Sequence, residues 1–329
     1  MIITRTPLRV SFFGGGTDYP DWYNENGGSV ISSSINKYSY IKARFLPPFF
    51  NYKFCIRYYY REEVKNVNQI KHPSVRNIFK FLKIKKGVEI IHSGDLPARG
   101  GLGSSSSFTV GTLNAVSALH GKIFSKRDLA NNSIFIEQAL TKENVGSQDQ
   151  TIAAFGGINK IDFGGPGNIL VTPYALSKNN FLKFQDSLML FFLGYPRDAS
   201  EIAKTQIRLI PKKYSELKEI IQLTKEADIA LQSNKLDIKR IGKLLDVQWN
   251  IKKKLSPKVS NSKIDDIYSK FLKLGIYGGK LCGAGGGGFF LVSAPVEKHN
   301  FIRKKMNNFL HVPFRFDFTG SQIIYFSQE

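Results

Sequence analysis

Residues 96–108 read LPARGGLGSSSSF, with three glycines and four consecutive serines between a proline and a phenylalanine. The preceding residues, VEIIHSGDLP, are typical of a strand, and the following ones, SSSSFTVGTLNAVSALHG, predict a helix. Apolar side chains share one face of that helix from Phe108 to Leu119, and Gly121 is placed to end it. The glycines are therefore predicted to lie just before a helix N-terminus.

A helix N-terminus of this kind is a favourable place for a phosphate group. The N–H groups of the first turn have no partner within the helix, the helix dipole is positive there, and glycine lets an anion approach the backbone closely. Serine hydroxyls in the first turn can cap the helix, donate to phosphate oxygens or ligate Mg²⁺. Capping needs only one serine, so the run of four favours phosphate binding. The loop is not a Walker A motif, because no Lys-Ser or Lys-Thr follows the glycines.

Composition and charge set outer limits on the function. The chain has 329 residues, of which 42% are hydrophobic, and this length suits two domains. Cys55 and Cys282 are too few for a disulfide framework and lack zinc-site spacing, so we expect a reduced, cytoplasmic protein. The longest apolar block, LMLFFLGY from Leu188, is too short to span a membrane and predicts a buried strand, so we expect no membrane partner.

The strong positive charge fits anionic ligands. The formal net charge is +21, but the lysines are scattered through segments such as PKKYSELKE and IKKKLSPK, which are typical of solvated faces. No RNA-recognition, helix-turn-helix or zinc-finger pattern accompanies the charge. We therefore expect no nucleic-acid partner.

Two styles of sequence divide the chain. Up to about residue 165, short strand-like runs alternate with glycine turns and two helical stretches, as in an α+β domain. From about 198 to 274 the apolar spacing is helical, and strands, a helix near 296–309 and strands near 312–326 follow. Glycine and proline cluster in DFGGPGNI at 162–169, so we predict domains at 1–165 and 166–329.

Three further segments contain residues that are suited to ligand binding or catalysis. RVSFFGGGTDYPDW, residues 9–22, places Thr17 and Asp18 after a glycine turn, a layout suited to a polyhydroxylated ligand. KLCGAGGGGFFL, residues 280–291, offers a second backbone-lined concavity; its G-x-G-x-x-G match is not a dinucleotide fingerprint, because a strand follows where a helix is required. Between them lie Glu137, on a predicted helix, and Asp149, beyond a glycine.

In this order the motifs resemble those of the GHMP family of small-molecule kinases. PLRVSFFGGGTDY is similar to the first family motif, PARGGLGSS to the second and LCGAGGGG to the third. Within the family, GGGTDYP, GSQDQ and AFGGIN are most similar to the kinases of heptose phosphates. GGGTDY stands where galactokinases have a Glu-His pair before Thr-Asp, which argues against galactose.

The resemblance implies both a fold and a reaction. The fold is α+β with two domains, an N-terminal one like ribosomal protein S5 domain 2 and a C-terminal ferredoxin-like α/β sandwich, with ATP and sugar bound between them. The reaction is ATP- and Mg²⁺-dependent phosphorylation of the anomeric (C1) hydroxyl of D-glycero-D-manno-heptose 7-phosphate. Its product would supply nucleotide-activated heptose for a surface polysaccharide such as capsule or lipopolysaccharide. A homodimer is compatible with the resemblance.

The resemblance also assigns roles to residues. Asp149 matches the catalytic aspartate, Arg9 the basic residue that holds it ionised, and Ser105 and Glu137 the Mg²⁺ ligands. The residues implied to bind ATP are Pro97, Arg99, Gly100, Gly101, Leu102, Gly103, Ser104, Ser105 and Ser106. Those implied to bind the sugar are Arg9, Gly15, Gly16, Thr17, Asp18, Lys37, Asp149, Gly283, Gly285 and Gly286.

Alternatives stay open for single residues. Asp149 could be a helix cap, Glu137 part of a solvated helix face, and Arg9 the partner of a purely structural carboxylate. Lys37 and Arg99 could each grip a second phosphate on the sugar or be surface charges.

Alternatives stay open for the function as well. Another sugar-1-kinase of the family, fucokinase- or galactokinase-like, would carry the same motifs. A non-catalytic basic protein that binds anions or RNA on the same fold is the competing class, although such a protein would not need Asp149 and Glu137 together with an intact serine loop.

Overall fold

The computed structural model describes residues 1–165, 168–194 and 199–327, and within them the chain is of the predicted α+β class. The elements of the first part are β1 (Ile2–Phe13), α1 (Pro20–Asn26), β2 (Gly28–Phe45), β3 (Phe54–Arg57), β4 (Arg61–Val64), α2 (Pro73–Phe81), β5 (Val88–Gly94), α3 (Ser104–Leu119), α4 (Lys126–Phe135), α5 (Gln148–Phe155), β6 (Ile158–Phe163) and β7 (Ile169–Pro173). Those that follow are α6 (Lys178–Asp186), β8 (Leu188–Phe192), α7 (Ala199–Leu209), α8 (Tyr214–Leu231), α9 (Ile238–Leu255), α10 (Ser262–Lys273), β9 (Gly278–Leu281), β10 (Phe289–Ser293), α11 (His299–Lys305), β11 (Leu310–His311) and β12 (Gln322–Phe326).

The first sheet is mixed and is built around the long strands β1 and β2. Its order is β12-β1-β2-β5-β3-β4, and the hairpin of β6 and β7 extends it by pairing β6 with β2. In the antiparallel β1–β2 pair, Arg9 lies opposite Ser34 and Ser11 opposite Ser32, so their side chains share one face. Helices α3 and α5 pack on β1 and β2, which places the helix that follows the serine loop next to Arg9.

The second sheet is antiparallel, with the order β11-β8-β10-β9. β8 is the strand predicted from LMLFFLGY, and four of its five residues are buried. Behind this sheet, Trp249 of α9 and Phe271 of α10 pack on Phe290 of β10. A C-terminal unit with its own core is thereby confirmed.

The two sheets also share apolar contacts. One buried cluster joins Val10 and Phe12 of β1 to Leu190 of β8 and Leu291 of β10. A second cluster joins α1 to α8 and α9. The C-terminal end of β1, where the first glycine motif lies, is therefore enclosed by elements from both parts of the chain.

The sequence-based boundaries are refined in two places. Two helical stretches are too few for the first 165 residues, because five α-helices, α1 to α5, lie there. Strands β6 and β7 pair across the position predicted to divide the domains, and β12 returns to pair with β1. Residues 166 and 167 lie outside the described residues, and a division after residue 165 stays a prediction.

Candidate active site

The loop before α3 ends in a left-handed turn at glycine. Gly101 and Gly103 have φ of +87° and +72°, and Arg99 has φ of +63°. Gly103 is the N-cap residue of α3, and no side chain caps this helix. The N–H groups of the first turn are therefore open to a ligand, at the positive end of a 16-residue helix. This is the geometry of a phosphate-binding loop, and the serines do not serve as caps.

The serines of α3 have different neighbours. Ser106 is buried and donates to Glu137 Oε2 at 2.9 Å, and Ser107 donates to the carbonyl oxygen of Pro7 at 2.8 Å. Ser105, which the resemblance pairs with Glu137, is exposed on the first turn. Successive residues point about 100° apart around a helix, so only one of the two faces the carboxylate directly. The structure brings Ser106 to Glu137, and the role of Ser105 stays a prediction.

Arg9 and Asp149 form a bidentate ion pair under this loop. Arg9 Nε donates to Asp149 Oδ1 at 2.7 Å and Arg9 Nη2 to Asp149 Oδ2 at 2.8 Å, while Nη1 donates to the carbonyl oxygen of Gly101 at 2.7 Å. The Arg9 side chain is 4% exposed and that of Asp149 is 24% exposed. A Cβ added to Gly103 would lie 3.3 Å from Asp149 Oδ2. The carboxylate therefore reaches solvent next to the glycine at the start of α3, and the partner of Arg9 is Asp149 itself.

The first glycine motif forms a tight turn at the end of β1. Gly14 and Gly16 have φ of +84° and +110°, and a Cβ on Gly14 would lie 1.9 Å from a backbone oxygen. Gly15 has open space, because an added Cβ would meet only ordinary contacts. The hydroxyl of Thr17 donates back to the Gly14 carbonyl at 2.8 Å. Thr17 therefore holds the turn, and the side open to a ligand is at Gly15.

Asp18 is buried beside the ion pair. Its Oδ1 accepts from the Gly16 N–H at 3.0 Å, and Gly146 is pressed against it so closely that an added Cβ would lie 1.9 Å from Oδ2. Burial raises the pKa of the Asp18 carboxyl, and the charge of Asp149 raises it further. The carboxyls of Asp18 and Asp149 thus influence each other electrostatically at this end of β1.

Glu137 lies on a π-helical turn, Ile136–Leu140, that continues α4. Such turns are frequent at functional sites. The side chain is fully buried, so it is not part of a solvated helix face, and burial followed by the charge of Glu143 raises its pKa to about 7. Its Oε2 accepts from Ser106 and Gln150, and a hydrogen bond from the Thr109 hydroxyl lowers the pKa of the carboxyl in part. A buried carboxylate surrounded by hydroxyl groups is an oxygen donor set that suits Mg²⁺.

The third glycine segment packs directly on the phosphate loop. The N–H of Phe289 donates to the Gly100 carbonyl at 3.0 Å, and a Cβ on Gly288 would lie 2.2 Å from that oxygen. Gly285 and Gly286 pack against the backbone at Val259, since a Cβ on Gly285 would lie 2.6 Å from its carbonyl oxygen. Gly288 therefore allows the third glycine segment to pack closely on the phosphate loop, and Gly285 allows it to pack on the backbone at Val259.

Two buried lysines complete the site, and the sequence analysis did not single them out. Lys280 of β9 is 1% exposed and donates to the Phe12 carbonyl at 2.9 Å; Lys252 of α9 is 5% exposed and donates to the Gly283 carbonyl. Burial lowers the pKa of the Lys280 amine well below its usual range, and the Lys252 charge lowers it further. The two amines are therefore electrostatic neighbours at the end of β1.

Family models match both parts of the chain. Residues 68–157 match the GHMP kinases N terminal domain and residues 229–311 match the GHMP kinases C terminal domain. The chain belongs to the GHMP kinase family. The first match contains the phosphate loop, Glu137 and Asp149, and the second contains Lys252, Lys280 and the third glycine segment.

Several proteins are similar to this GHMP kinase over nearly its whole length. A D-glycero-alpha-D-manno-heptose 7-phosphate kinase of Campylobacter jejuni is 28% identical over 316 residues, 92% of each chain. A bifunctional fucokinase/GDP-fucose pyrophosphorylase of Arabidopsis thaliana is 25% identical over 91% of this chain, which corresponds to 30% of that larger protein. The crystal structure of a D-glycero-D-manno-heptose 1-phosphate kinase from Bacteroides thetaiotaomicron covers all of both chains with a TM-score of 0.81 at 21% identity. The predicted two-domain GHMP kinase fold and a sugar kinase activity are thus confirmed.

Other predicted residues of this GHMP kinase lie at the edge of the site. Pro97, Arg99 and Ser104 belong to the loop that presents the first turn of α3, and the first two are exposed. Lys37 is half-buried within β2, and in the described ranges no hydrogen bond or ion pair joins it to Arg9 or Asp149. The structure therefore does not bring Lys37 into the group around the ion pair.

The described residues contain neither a membrane-spanning helix nor a cluster of metal-binding side chains. No helix among residues 1–165, 168–194 and 199–327 is long and apolar enough to cross a membrane. The same residues hold no group of three or more His, Cys, Asp or Glu side chains that could bind a metal ion. Cys55 and Cys282 are both buried, and no disulfide joins them in the described part of the chain.

Proposed function

We propose that this GHMP kinase transfers the γ-phosphate of ATP to the anomeric (C1) hydroxyl of D-glycero-D-manno-heptose 7-phosphate and so forms the 1,7-bisphosphate. The observation that carries the proposal is the Arg9–Asp149 ion pair, which opens to solvent beside the Gly103 turn of the phosphate loop. The heptose phosphate kinase of C. jejuni, similar over nearly the whole chain, supports the choice of sugar.

Asp149 is the group that meets the sugar hydroxyl. Phosphoryl transfer depends on positioning and charge neutralisation more than on covalent help from the protein. The exposed edge of the Asp149 carboxylate accepts the hydroxyl proton as the sugar oxygen bonds to the γ-phosphorus and ADP leaves. Arg9 fixes the carboxylate through two hydrogen bonds and balances its charge, and its third bond ties the pair to the loop at Gly101.

The phosphate loop binds the phosphates of ATP. The open N–H groups of the first turn of α3, after Gly103, face these anionic groups, and Ser104 and Ser105 add hydroxyl donors. Glu137 and Ser106 would hold Mg²⁺, with Ser105 as a further ligand implied by the family motif. When bound, the metal would neutralise negative charge on the phosphates.

The buried lysines favour a phosphorylated sugar. Arg9, Lys252 and Lys280 are three buried basic side chains around the end of β1, beside the carboxyls of Asp18 and Asp149. A bound phosphate would favour the charged form of a buried amine, so these basic side chains suit an anionic ligand. We assign the substrate's own phosphate to the buried Lys252 and Lys280 rather than to the half-buried Lys37 or the exposed Arg99.

Other assignments make different use of the same site. A fucokinase- or galactokinase-like enzyme would bind a neutral sugar and would have no anion for the buried lysines. A non-catalytic anion- or RNA-binding protein would not need a carboxylate held by Arg9 beside the phosphate loop. Reaction in the cytoplasm, on the route to a nucleotide-activated heptose for capsule or lipopolysaccharide, and a homodimeric assembly belong to the proposal as well.

A substrate panel tests the proposal. ADP release is measured with heptose 7-phosphate, unphosphorylated heptose, fucose and galactose at equal concentrations, for the native protein and for Lys252→Met. We expect the phosphorylated heptose to be preferred at least a hundredfold by the native protein, since charged hydrogen bonds are missing from the neutral sugars, and the preference to shrink in the variant.

The matched control for the panel is Lys253→Met. This lysine is on the same helix, but it is partly exposed and pairs with Asp265 at 3.3 Å. It should leave the preference unchanged. Equal or faster turnover of a neutral sugar by the native protein would refute the substrate assignment.

A further inference from the structure

Three buried side chains lie around the first glycine turn, and in each of them one polar atom has no hydrogen-bond partner among the residues that the structure describes. These atoms are Ser11 Oγ of β1, Gln148 Oε1 of α5 and Gln248 Nε2 of α9. Each of the three residues is more than nine-tenths buried. They come from three elements that are far apart in the sequence and converge at Gly14 and Gly15.

The distances place Ser11 and Gln148 at the open side of the turn and Gln248 at the neighbouring Gly14. A Cβ added to Gly15 would lie 3.7 Å from Ser11 Oγ and 3.9 Å from Gln148 Nε2, which is ordinary contact distance. Gln248 Oε1 accepts from the Gly14 N–H at 3.2 Å, which fixes the amide so that its Nε2 is the unpaired atom. Space for a ligand atom therefore exists at Gly15, next to these groups.

The same groups adjoin the ion pair. Ser11 follows Arg9 by two residues on β1 and so lies on the same face of the sheet, and Gln148 directly precedes Asp149. Nearly all buried polar groups in folded proteins have a hydrogen-bond partner. Three unpaired atoms beside a catalytic carboxylate therefore indicate a ligand that is bound during the reaction.

The chemistry of the three atoms selects the kind of ligand. A serine hydroxyl donates and accepts, an amide oxygen only accepts, and an amide nitrogen only donates. A phosphate offers acceptors alone at neutral pH and would leave the Gln148 oxygen unpaired. Sugar hydroxyls both donate and accept, so neighbouring hydroxyls of a sugar ring can pair with all three atoms.

We propose that Ser11, Gln148 and Gln248 bind ring hydroxyls of the sugar and set which sugar is accepted. The inference rests on the proposed function in taking the ligand to be a sugar whose anomeric hydroxyl lies at Asp149. These residues hold the uncharged part of the substrate, and the buried lysines hold its phosphate. Specificity then has two separable sources, stereochemistry at the turn and charge at Lys252 and Lys280.

The test pairs residue variants with deoxy sugars. Ser11→Ala and Gln148→Met are assayed with the best substrate of the enzyme and with its 2-, 3- and 4-deoxy analogues, and sugar binding is measured by calorimetry without nucleotide. Each variant should lower kcat/KM about tenfold to a hundredfold with the intact sugar, mainly through KM. The loss should vanish with the one analogue that lacks the hydroxyl contacted by that residue.

Thermal unfolding separates a binding role from a structural one. Removing an unpaired polar atom should leave the melting temperature of Ser11→Ala and Gln148→Met unchanged or higher. The control, Gln69→Met, removes an amide whose Oε1 accepts from the N–H groups of Lys65 and Asn66 at 3.1 and 3.0 Å, just after β4, which three strands separate from β1. It should lower the melting temperature and leave all sugar kinetics unchanged.

Two outcomes would overturn the inference. One is an equal loss with every deoxy analogue, which would mean that ordered water alone pairs these atoms. The other is a lower melting temperature with unaltered sugar affinity. Failure of the substrate assignment can be told apart from failure of this inference, because a different sugar would then be the best substrate. The same variants would be tested on the deoxy analogues of that sugar. A chain that binds none of the sugars would overturn both proposals.

Discussion

Replacing Asp149 by asparagine is the substitution that separates catalysis from folding at this site. Asparagine keeps the shape of the side chain and one oxygen, which can still accept from Arg9 Nε, but it turns an N–H group towards Arg9 Nη2. One of the two hydrogen bonds, at 2.7 and 2.8 Å, is therefore lost, together with the negative charge. The proton acceptor for the sugar hydroxyl is lost at the same time.

The structure sets the size of both effects. A hydrogen bond to a charged group contributes about 1.5–3 kcal/mol, and because the Asp149 side chain is 24% exposed we expect the unfolding free energy to fall by about 1–2 kcal/mol. A positioned general base contributes about 10²–10⁴-fold, which corresponds to about 3–5 kcal/mol in the activation free energy. Catalysis should therefore suffer much more than folding, and ATP affinity should be nearly unchanged.

Steady-state kinetics, ATP titration and thermal melting measure the three quantities. The matched control is Glu89→Gln on β5, a strand that does not border β1; it weakens the ion pairs of the buried Glu89 carboxylate with the partly exposed Arg44 and Arg57. The control should melt earlier and retain its turnover number. A turnover number for Asp149→Asn within about threefold of the native value would refute the role assigned to this carboxylate.

Three further predictions concern other parts of the molecule. Gly103→Ala places a Cβ 3.3 Å from the Asp149 carboxylate on a backbone with φ of +72°, so the turnover number should fall at least tenfold. A native turnover number would show that the loop does not position the Arg9–Asp149 pair. Ser106→Ala removes the hydroxyl that contacts Glu137, so the Mg²⁺ concentration for half-maximal rate should rise about tenfold; a rise seen only in Ser105→Ala would assign the metal to that serine instead. Burial between aromatic rings lowers the pKa of His72 to about 4. Between this value and the unfolded pKa of about 6.5, the unfolded chain binds a proton that the native chain does not bind. The unfolding free energy should therefore fall by up to about 1.4 kcal/mol per pH unit as the pH is lowered from 6.5 to 4. In His72→Phe the melting temperature should depend less on pH in that window, and identical pH profiles would contradict the assignment.

The parts of the site that the sequence predicts are those set by local patterns. Helix α3 and the glycine turn before it follow from apolar spacing and from glycine at left-handed positions such as Gly103. The helical spacing of Ile220, Leu223 and Ala227 in α8 is likewise confirmed, and all three are buried. Short-range physics determines these features, so a single sequence carries them.

The parts that the sequence misses depend on distant contacts. Lys252 stands in a run of three lysines that is typical of a solvated face, yet it is buried because the third glycine segment packs over it. Its spacing from Gln248 and Leu255, which are on the buried face of α9, was the available signal. Lys280 lies within a buried strand, and only the pairing of its amine with the Phe12 carbonyl of another sheet explains it.

Helix α2 was missed, and strand β12 was predicted without its pairing partner, for different reasons. Val75, Ile78 and Phe79 are spaced as on a helix face, so α2 could have been predicted from its pattern. The return of β12 to β1 joins residues more than 300 positions apart, and no local pattern encodes such a pairing.

The central claim is that the enzyme makes a sugar 1-phosphate from a sugar that already carries a phosphate. The most direct measurement is the ³¹P NMR spectrum of the product formed from heptose 7-phosphate, ATP and Mg²⁺. We expect a new phosphate resonance coupled to the anomeric proton, alongside the retained 7-phosphate signal. With Asp149→Asn, the new resonance should not appear in the same time. A new phosphate on any other carbon, or ADP release without a phosphorylated sugar, would contradict it.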